Sequence, residues 1–277
     1  MIAAGLIVLN ESEFIADNLR QHYDLFDKIV IVEGADVHYP LDRTTMSGLS
    51  IDDTAAIIQN FQTRHDPEGK ITFIRHGIAG DGREGHGKCV LRNIYAQQLQ
   101  DADIFVHLDA DEFYTCDNFA RIIAEMEASP KYCAFQYPSI HFWKNREQVI
   151  TGGYYDIQHF RFWRVQRGWH YGYTELASHN FPRASNGHYL QRQGKRMRKR
   201  NFTASAAGLS HDLPFCHHFG FARSAQAIAD KNAYYANRGE VASRPQTVDS
   251  RRAWFADELP EGLQVHKWNG GLPEVYR

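Results

Sequence analysis

The stretch Ile104-Phe-Val-His-Leu-Asp109-Ala-Asp111-Glu112-Phe113 passes from an apolar run into three carboxylates within four residues. The apolar run predicts a buried strand, which places Asp109 and Asp111 at its carboxyl end, where open α/β sheets bind their ligands. Because side chains alternate along a strand, the two carboxylates are expected on the same face. Neighbouring carboxylates repel each other unless a cation or water lies between them, and their oxygens suit Mg²⁺ or Mn²⁺. The stretch therefore indicates either a divalent metal site or a solvated acidic turn.

The composition is typical of a folded protein without a strong charge bias. The chain has 277 residues, 43% of them hydrophobic, which suffices for one large domain. Lysine and arginine together number 31 and the acidic residues 33, so no global charge excess argues for a nucleic acid or an anionic membrane as partner. The four cysteines, at positions 89, 116, 133 and 216, form no CxxC pair and suggest neither a zinc site nor a disulfide scaffold. We expect a reducing, cytoplasmic setting.

The N-terminal segment indicates a first strand rather than a targeting sequence. Residues 1–9 are apolar, but they lack a basic start and give way to polar residues at Asn10. No later segment approaches the roughly 18 consecutive apolar residues of a membrane span. We therefore expect a soluble protein without a transmembrane segment.

Strands and helices alternate in the first half of the chain. Apolar runs predict strands at 5–9, 28–32 and 71–74, with a fourth ending at Asp109, and apolar residues at helical spacing predict helices between them. This alternation predicts an α/β fold with a mainly parallel central sheet flanked by helices. Its ligand crevice is expected to collect Asn10, Glu33 and Asp109.

The second half has a different pattern. A helix is expected at about 118–128, and aromatic, strand-like runs follow at 132–137, 141–143 and 154–165, which favour a smaller antiparallel region beside the sheet. A last helix is expected at about 223–237. No repeat or low-complexity linker interrupts the chain, so we expect a single domain over 1–277, with halves at 1–128 and 129–277.

One segment nearly matches a phosphate-binding P-loop, namely Gly82-Arg-Glu-Gly-His-Gly87-Lys88-Cys89. Together with the strand that ends in Asp109, it suggests an NTPase. Against this, Cys89 stands where a Ser or Thr hydroxyl would hold Mg²⁺, and several residues separate Gly82 from the preceding strand, whereas a P-loop follows its strand directly. A glycine-rich loop is the favoured interpretation, and the NTPase is kept as an alternative.

Four landmarks occur in chain order: Leu9-Asn10-Glu11, the strand at 29–32 with Glu33 after it, Arg92-Asn93, and His107-Leu-Asp109-Ala-Asp111-Glu112. In this order they resemble the family 2 type of glycosyltransferase, which has the GT-A fold. The resemblance covers residues 5 to about 125 well and the remainder more loosely. It implies a GT-A type nucleotide-diphospho-sugar transferase fold, in which the antiparallel, aromatic region receives the acceptor.

The resemblance also implies roles for single residues on the donor side. In that family the first strand and its turn hold the base and ribose of the nucleotide sugar, which falls here to Leu9 and Asn10. An acid after the second strand faces the nucleoside, which falls to Glu33, although the family more usually has Asp there. The Arg-Asn pair before the Asp-x-Asp strand assigns donor binding to Arg92, and Asp109 is expected to contact the donor as well.

Two later segments resemble the acceptor side and the completed metal site of the family. The aromatic run at 160–169 followed by Tyr173-Thr174-Glu175 implies that Glu175 is the general base, although the family commonly has His where Thr174 stands. The segment Cys216-His217-His218-Phe-Gly220 resembles the one whose histidine completes the metal site, and His218 matches better than His217.

The residue types suit transfer of a glycosyl group. A divalent metal, Mn²⁺ or Mg²⁺, held by Asp109, Asp111 and His218 would neutralise the charge of a departing diphosphate such as UDP, and Lys231 would add positive charge there. A carboxylate base would take the proton from the acceptor hydroxyl, which predicts a single displacement with inversion. We therefore expect a metal-dependent, hexosyltransferase-like enzyme. The alternatives are the P-loop-like NTPase and a non-catalytic carbohydrate-binding module on a degenerate transferase fold.

A basic run separates these two late segments. Six cations lie between Arg192 and Arg200 in a chain with a net charge of only −2. Such a patch attracts an anionic acceptor, including nucleic acid, or is an ordinary solvated loop. Charge runs are usually solvated, and neutral glycan acceptors fit the sequence equally well.

Overall fold

The computed structural model describes most of the chain. The described residues are 1–83, 86–130, 132–152, 159–165, 167–172, 189–191, 199–201, 214–237, 253–256 and 259–276. Within them, none of the helices combines the length and the apolar composition needed to cross a lipid bilayer.

Four parallel strands and three helices alternate in the first part of the chain. The strands are β1 (Ile2–Val8), β2 (Lys28–Glu33), β3 (Ile71–Arg75) and β4 (Ile104–His107), and the helices are α1 (Ile15–His22), α2 (Thr54–His65) and α3 (His86–Gln98). Short 3₁₀ helices occupy Tyr23–Leu25 and Leu41–Arg43. These strands lie side by side in the order β3-β2-β1-β4, and every neighbouring pair is parallel. The predicted alternation and the mainly parallel sheet are confirmed.

The second part adds further strands and two helices. These elements are β5 (Glu112–Phe113), α4 (Cys116–Glu127), β6 (Ala134–Tyr137), β7 (Ser139–Trp143), β8 (Gln148–Thr151), β9 (His159–Arg164), β10 (His170–Gly172), β11 (Tyr189–Gln191), β12 (Lys199–Asn201), β13 (Cys216–Phe221), α5 (Ala225–Asn237), β14 (Gln264–Lys267) and a 3₁₀ helix at Glu274–Tyr276.

Three sheets result from the described strands. The central sheet has the order β12-β6-β9-β4-β1-β2-β3, with β9 antiparallel to both β4 and β6. A second sheet has the order β14-β8-β7-β13-β5, and β10 pairs with β11. The expected antiparallel, aromatic region therefore exists, partly as an extension of the central sheet and partly as a sheet of its own.

The central sheet separates two apolar layers. Alternate residues of β2 face opposite sides: Ile29 and Ile31 join one buried cluster, and Val30 and Val32 join the other. The first cluster includes apolar residues of α1, α2 and α4, and the second those of α3. A strand buried on both faces is apolar throughout, which explains why the run at 28–32 is so clear in the sequence.

Two local expectations are wrong. The basic run is predicted to be a loop, but its last residues belong to the strand Lys199–Asn201, which pairs in parallel with Ala134–Gln136 at the edge of the central sheet. Residues 192–198 lie outside the described part. Asp109 and Asp111 were expected on one face of a strand, but β4 ends at His107 and both acids lie in the turn that follows it.

Candidate functional site

A cavity of about 500 Å³ opens at the carboxyl ends of the parallel strands. Its wall comes from the segments that follow β1, β2 and β4, from the start of α3 and from one face of α5. This is the edge at which parallel α/β sheets leave a crevice for ligands. Most predicted site residues line the cavity: Leu9, Asn10, Arg92, Asp109, Asp111, His218 and Lys231.

The buried carboxylate of Asp111 is surrounded by cationic groups. Its Oδ2 atom accepts a hydrogen bond from Arg223 Nη2 at 2.8 Å and lies 3.8 Å from Lys231 Nζ. Its Oδ1 atom lies 3.7 Å from His218 Nε2. Burial alone would raise the pKa of Asp111, but the charge of Arg223, reinforced by Lys231, holds it well below its usual range. Asp111 is thus an ionised carboxylate at the cavity wall.

Arg223 connects Asp111 to a second carboxylate. The same Nη2 atom donates to Glu11 Oε2 at 2.6 Å, and the Arg223 side chain is only 6% exposed. Burial raises the pKa of Glu11 to about 7 against the opposing effect of Arg223. Glu11 directly follows Asn10 in the first landmark, but its partner Arg223 is 212 residues away, so the local sequence does not reveal the ion pair.

Asp109 is directed to different partners. Its Oδ2 atom accepts a hydrogen bond from Arg161 Nη2 at 2.7 Å, and its Oδ1 atom lies 3.2 Å from His107 Nε2. The Arg161 guanidinium also donates, through Nε, to Oε1 of buried Glu112 at 3.0 Å. The carboxylates of Asp109 and Asp111 are therefore paired with separate arginines rather than converging on one point. A single cation inside the apolar run at 160–163 is the sequence signal that marks Arg161.

The two candidate histidines of β13 point to opposite sides. His218 faces Asp111, whereas the Nε2 atom of His217 lies 2.9 Å from the Gly271 carbonyl oxygen and its ring stacks on Phe142. Alternation along the strand explains the difference. Burial lowers the pKa of His218 to about 4, so its imidazole is neutral near pH 7 and has a lone pair for a metal.

The space between Asp111 and His218 depends on Gly220. A Cβ atom at this position would lie 2.5 Å from His218 Cε1 and 3.1 Å from Asp111 Oδ2. Among the described residues, no group of three or more His, Cys, Asp and Glu side chains is arranged to hold a metal ion. The carboxylate and imidazole nevertheless form a donor pair that suits Mn²⁺ or Mg²⁺ if a phosphate ligand supplies further oxygens. Asp111 and His218 therefore fit such an ion, and Asp109, held by Arg161, is not arranged with them.

The loop after β1 is shaped by Asn10. This residue has a φ of 52°, in the left-handed region that Asn tolerates better than most residues. Its Oδ1 atom accepts from the Ile51 amide, and its Nδ2 atom donates to the Arg43 carbonyl oxygen. Asn10 thereby fixes the loop after β2 against the loop after β1, and both loops line the cavity.

The acid after β2 that faces the cavity is Asp36 and not Glu33. Glu33 is fully buried, where it accepts from the Ser50 amide and from Arg75 Nε on the neighbouring strand, and it does not line the cavity. Asp36 lines the cavity and is 5% exposed; its Oδ1 atom accepts from the His38 amide. Its buried Oδ2 atom has no hydrogen-bond partner among the described residues. Because β2 includes Glu33, the first acid beyond the strand is Asp36.

Helix α5 forms part of the cavity wall. Asp230 accepts from Arg43 Nε at 3.0 Å, and the ring centroids of Tyr234 and Tyr39 are 5.7 Å apart. The next residue, Lys231, reaches toward Asp111. The helix is thus attached to the loop after β2 and to the turn after β4.

The position of Lys88 does not support a P-loop. This residue lies inside α3, and its Nζ atom lies over the rings of Tyr234 and Tyr235, at 5.1 and 5.7 Å from their centroids. The preceding strand, β3, ends at Arg75, well before Gly82. Glu84 and Gly85, which complete the motif, lie outside the described residues.

The predicted acceptor side is described only in part. Glu175 falls outside the described residues, as do its neighbours at 173 and 174, and it stays a prediction. The tryptophans Trp143, Trp163 and Trp169 are at most 7% exposed and do not line the cavity, which makes them core residues.

Comparisons with known proteins give distant similarities only. No protein-family model matches the chain, and no curated protein matches it. Among solved structures, the mannosyltransferase PcManGT from Pyrobaculum calidifontis, in complex with GDP-Man and Mn²⁺, is 15% identical at a TM-score of 0.46, with 88% of this chain and 64% of that chain covered. Glucosyl-3-phosphoglycerate synthase from Mycobacterium tuberculosis, in complex with Mn²⁺ and UDP, is 12% identical at a TM-score of 0.33, with 51% and 44% covered.

TarS from S. aureus is also similar over part of its length. One TarS structure is 12% identical at a TM-score of 0.33, and the match covers 52% of this chain and 22% of that chain. This chain thus spans less than two thirds of the TarS chain and of PcManGT. At these identities and TM-scores the similarities do not assign the chain to a family.

Proposed function

We propose that the protein is a glycosyltransferase of the GT-A type that moves a sugar from a nucleoside diphosphate sugar to an acceptor hydroxyl. The observation that carries this proposal is the position of Asp111, an ionised carboxylate beside His218, Arg223 and Lys231 in a cavity at the carboxyl ends of parallel strands. A mixed set of one carboxylate, one imidazole and two cations suits a diphosphate together with a divalent metal.

The nucleoside end of the donor is assigned to the loops after β1 and β2. Leu9 and Asn10 line this end together with Asp36. Asp36 lines the cavity, and a carboxylate suits a ligand that donates a hydrogen bond, which a ribose hydroxyl or a base N–H does. Asp36 is thus the proposed nucleoside ligand in place of Glu33.

The diphosphate end is assigned to Asp111 and its neighbours. Asp111 and His218 would hold Mn²⁺ or Mg²⁺, which when bound neutralises charge on the leaving diphosphate. Arg92 and Lys231 line the same cavity and add fixed positive charge to it. Arg161 donates hydrogen bonds to the carboxylates of Asp109 and Glu112 and so holds both side chains in place.

The acceptor half completes the proposal. Glu175 is proposed as the base that takes the proton of the acceptor hydroxyl, so that transfer proceeds by a single displacement with inversion. Residues 129–277 would belong to the same domain as the donor half. The described residues offer no support for a nucleic acid acceptor at the run between Arg192 and Arg200.

A thermal shift panel tests the donor assignment. Wild-type protein is heated with Mn²⁺ and with UDP, GDP or ATP, each alone and combined. We expect one nucleoside diphosphate to stabilise the protein only with the metal, and Asp111→Asn to lose this effect while the exposed acid variant Asp101→Asn keeps it. Stabilisation by ATP alone that disappears in Lys88→Ala would instead support the NTPase.

Turnover separates a transferase from a binding module. The protein is incubated with a panel of sugar nucleotides, and release of the nucleoside diphosphate is measured. Slow hydrolysis of one donor is expected even without acceptor, and Asp111→Asn is expected to abolish it. A protein that binds sugars but releases no nucleotide from any donor would be a carbohydrate-binding module.

A further inference from the structure

Two histidines on neighbouring strands contact each other behind the proposed metal site. Strands β7 and β13 are parallel, and their register pairs His141 with His218. The Nδ1 atoms of the two rings are 2.7 Å apart, and the rings meet edge to face with centroids 4.7 Å apart. His141 is 4% exposed, so solvent does not compete strongly for this contact. The pair is a short, buried nitrogen–nitrogen hydrogen bond.

Such a bond needs one hydrogen, so one Nδ1 atom donates and the other accepts. If His141 donated, the hydrogen of neutral His218 would be on Nε2, which faces Asp111. That nitrogen is 3.7 Å from Asp111 Oδ1, too far for a hydrogen bond. If His218 donates from Nδ1, its Nε2 atom instead presents a lone pair to the gap beside Asp111. Only the second arrangement lets Nε2 bind a cation, because a ring nitrogen that carries a hydrogen has no free lone pair.

Gly220 restricts the ring from the other side. A Cβ atom there would lie 2.5 Å from His218 Cε1 and 2.7 Å from its Nε2 atom. The His218 ring thus contacts His141 at Nδ1, and its Cε1–Nε2 edge occupies the space that a side chain at position 220 would need. The neighbours of the ring therefore restrict its orientation.

We propose that His141 is a positioning residue that accepts the Nδ1 hydrogen of His218 and so keeps its Nε2 lone pair directed at the proposed metal position. The identity of the ligand rests on the proposed function, whereas the hydrogen position does not. Metal-bound histidines generally donate their other ring N–H to a fixed acceptor, and loss of that acceptor typically weakens metal binding about 10- to 100-fold. Here the fixed acceptor would be the imidazole of His141.

The hydrogen position can be read without any ligand. Long-range ¹⁵N–¹H correlation spectra of the metal-free protein separate the two neutral tautomers of each histidine, and His218→Asn identifies the signals of His218. We expect His218 to have its hydrogen on Nδ1 in the wild type and in His141→Asn, whose amide oxygen lies near the position of Nδ1. In His141→Leu we expect this preference to disappear. A wild-type His218 with its hydrogen on Nε2 overturns the proposal.

Metal affinity provides the second readout. Binding of Mn²⁺ in the presence of the stabilising nucleoside diphosphate is measured by electron paramagnetic resonance. His141→Leu is expected to weaken binding about 10- to 100-fold and His141→Asn much less. In a His218→Ala background the leucine change is expected to add nothing. An unchanged affinity of His141→Leu refutes the positioning role.

The two readouts separate this inference from the proposed function. If the wild type binds neither metal nor nucleotide, the proposed function fails, while the tautomer still tests the role of His141. If His141→Leu does not fold, the wild type and His141→Asn decide through the same spectra. Thermal unfolding of each metal-free variant shows whether a change in affinity reflects loss of structure.

Discussion

The guanidinium of Arg161 lies 2.7 Å from Asp109, so the first acid of the Asp-x-Asp sequence is already paired with a cation inside the protein. The same guanidinium is the partner of buried Glu112. Burial raises the pKa of Glu112, and the charge of Arg161 opposes this effect and favours the ionised carboxylate. The turn after β4 thus contains a charge network that is separate from the one around Asp111.

Arg161→Met is expected to destabilise the fold. It leaves two carboxylates without their cation, and removal of one member of a buried ion pair costs about 3 kcal/mol or more. Urea unfolding measures the loss, and Arg20→Met, at a 60% exposed arginine of α1, is the matched control. Equal stability of the two variants would show that the Arg161 network contributes little to folding.

Asp36→Asn and Glu33→Gln are expected to act on different properties. The first removes the proposed nucleoside contact and should weaken binding of the nucleoside diphosphate about tenfold, because hydrogen bonds to charged groups contribute about 1.5 kcal/mol or more. The second removes a buried charge that pairs with Arg75 and should lower the free energy of unfolding instead. Calorimetric titration and urea unfolding of both variants provide the comparison. The opposite outcome would return the nucleoside role to Glu33.

The ion pair between Arg43 and Asp230 is expected to couple α5 to the nucleotide. We expect Arg43→Ala and Asp230→Ala each to weaken nucleoside diphosphate binding about fivefold, and the double variant to be only slightly weaker than either, since residues in direct contact act non-additively. Dissociation constants for the four proteins complete the cycle, with Arg121→Ala on α4 as a surface control. Simple addition of the two effects would show that the pair does not act as a unit.

Stability is expected to fall in acid because of His22. Its Nε2 atom accepts from the Tyr114 amide at 3.0 Å and its Nδ1 atom lies 2.9 Å from the Asn18 carbonyl oxygen, so the neutral ring serves both contacts. Burial lowers the pKa of His22 from 6.5 to about 3. Between these values the unfolded chain binds a proton that the folded chain excludes, so the free energy of unfolding decreases as pH falls, by at most about 1.4 kcal/mol per pH unit from this group.

Urea unfolding between pH 7 and pH 4 measures this slope. His22→Gln is expected to reduce it, and His65→Gln, at an exposed histidine of α2, serves as the control. A slope that is the same in wild type and His22→Gln would exclude His22 as a source of the acid sensitivity.

The sequence was sufficient to predict the four parallel strands at the core of the fold. Strands β1 to β4 are apolar runs, and the helices between them have apolar residues at helical spacing, so that local pattern and final burial agree. The second half was predicted less completely. Strand β8 was missed, and Lys199–Asn201 pairs at a sheet edge despite its charges, because edge strands tolerate cations.

The candidate site was predicted in part, and the differences have physical causes. Residue order and resemblance led to Asn10, Asp111 and His218, which the structure brings to one cavity. Glu33 was predicted to face the nucleoside, but it does not line the cavity. It is the last residue of β2, and its carboxylate pairs with Arg75 on the neighbouring strand β3. The local sequence marks Arg161 as a cation in an apolar run, but its partners Asp109 and Glu112 are distant in sequence and become visible only in the fold.

Consecutive positions on α5 limit how this cavity can evolve. Asp230 contacts the loop after β2, and Lys231 approaches the turn after β4, so one helix participates in both parts of the wall. A shift of α5 that enlarges the space for a different base would also move a cation away from Asp111. Selection for a new donor would therefore have to alter both contacts together, and engineering of donor preference should begin with paired libraries at 43 and 230 rather than with single substitutions.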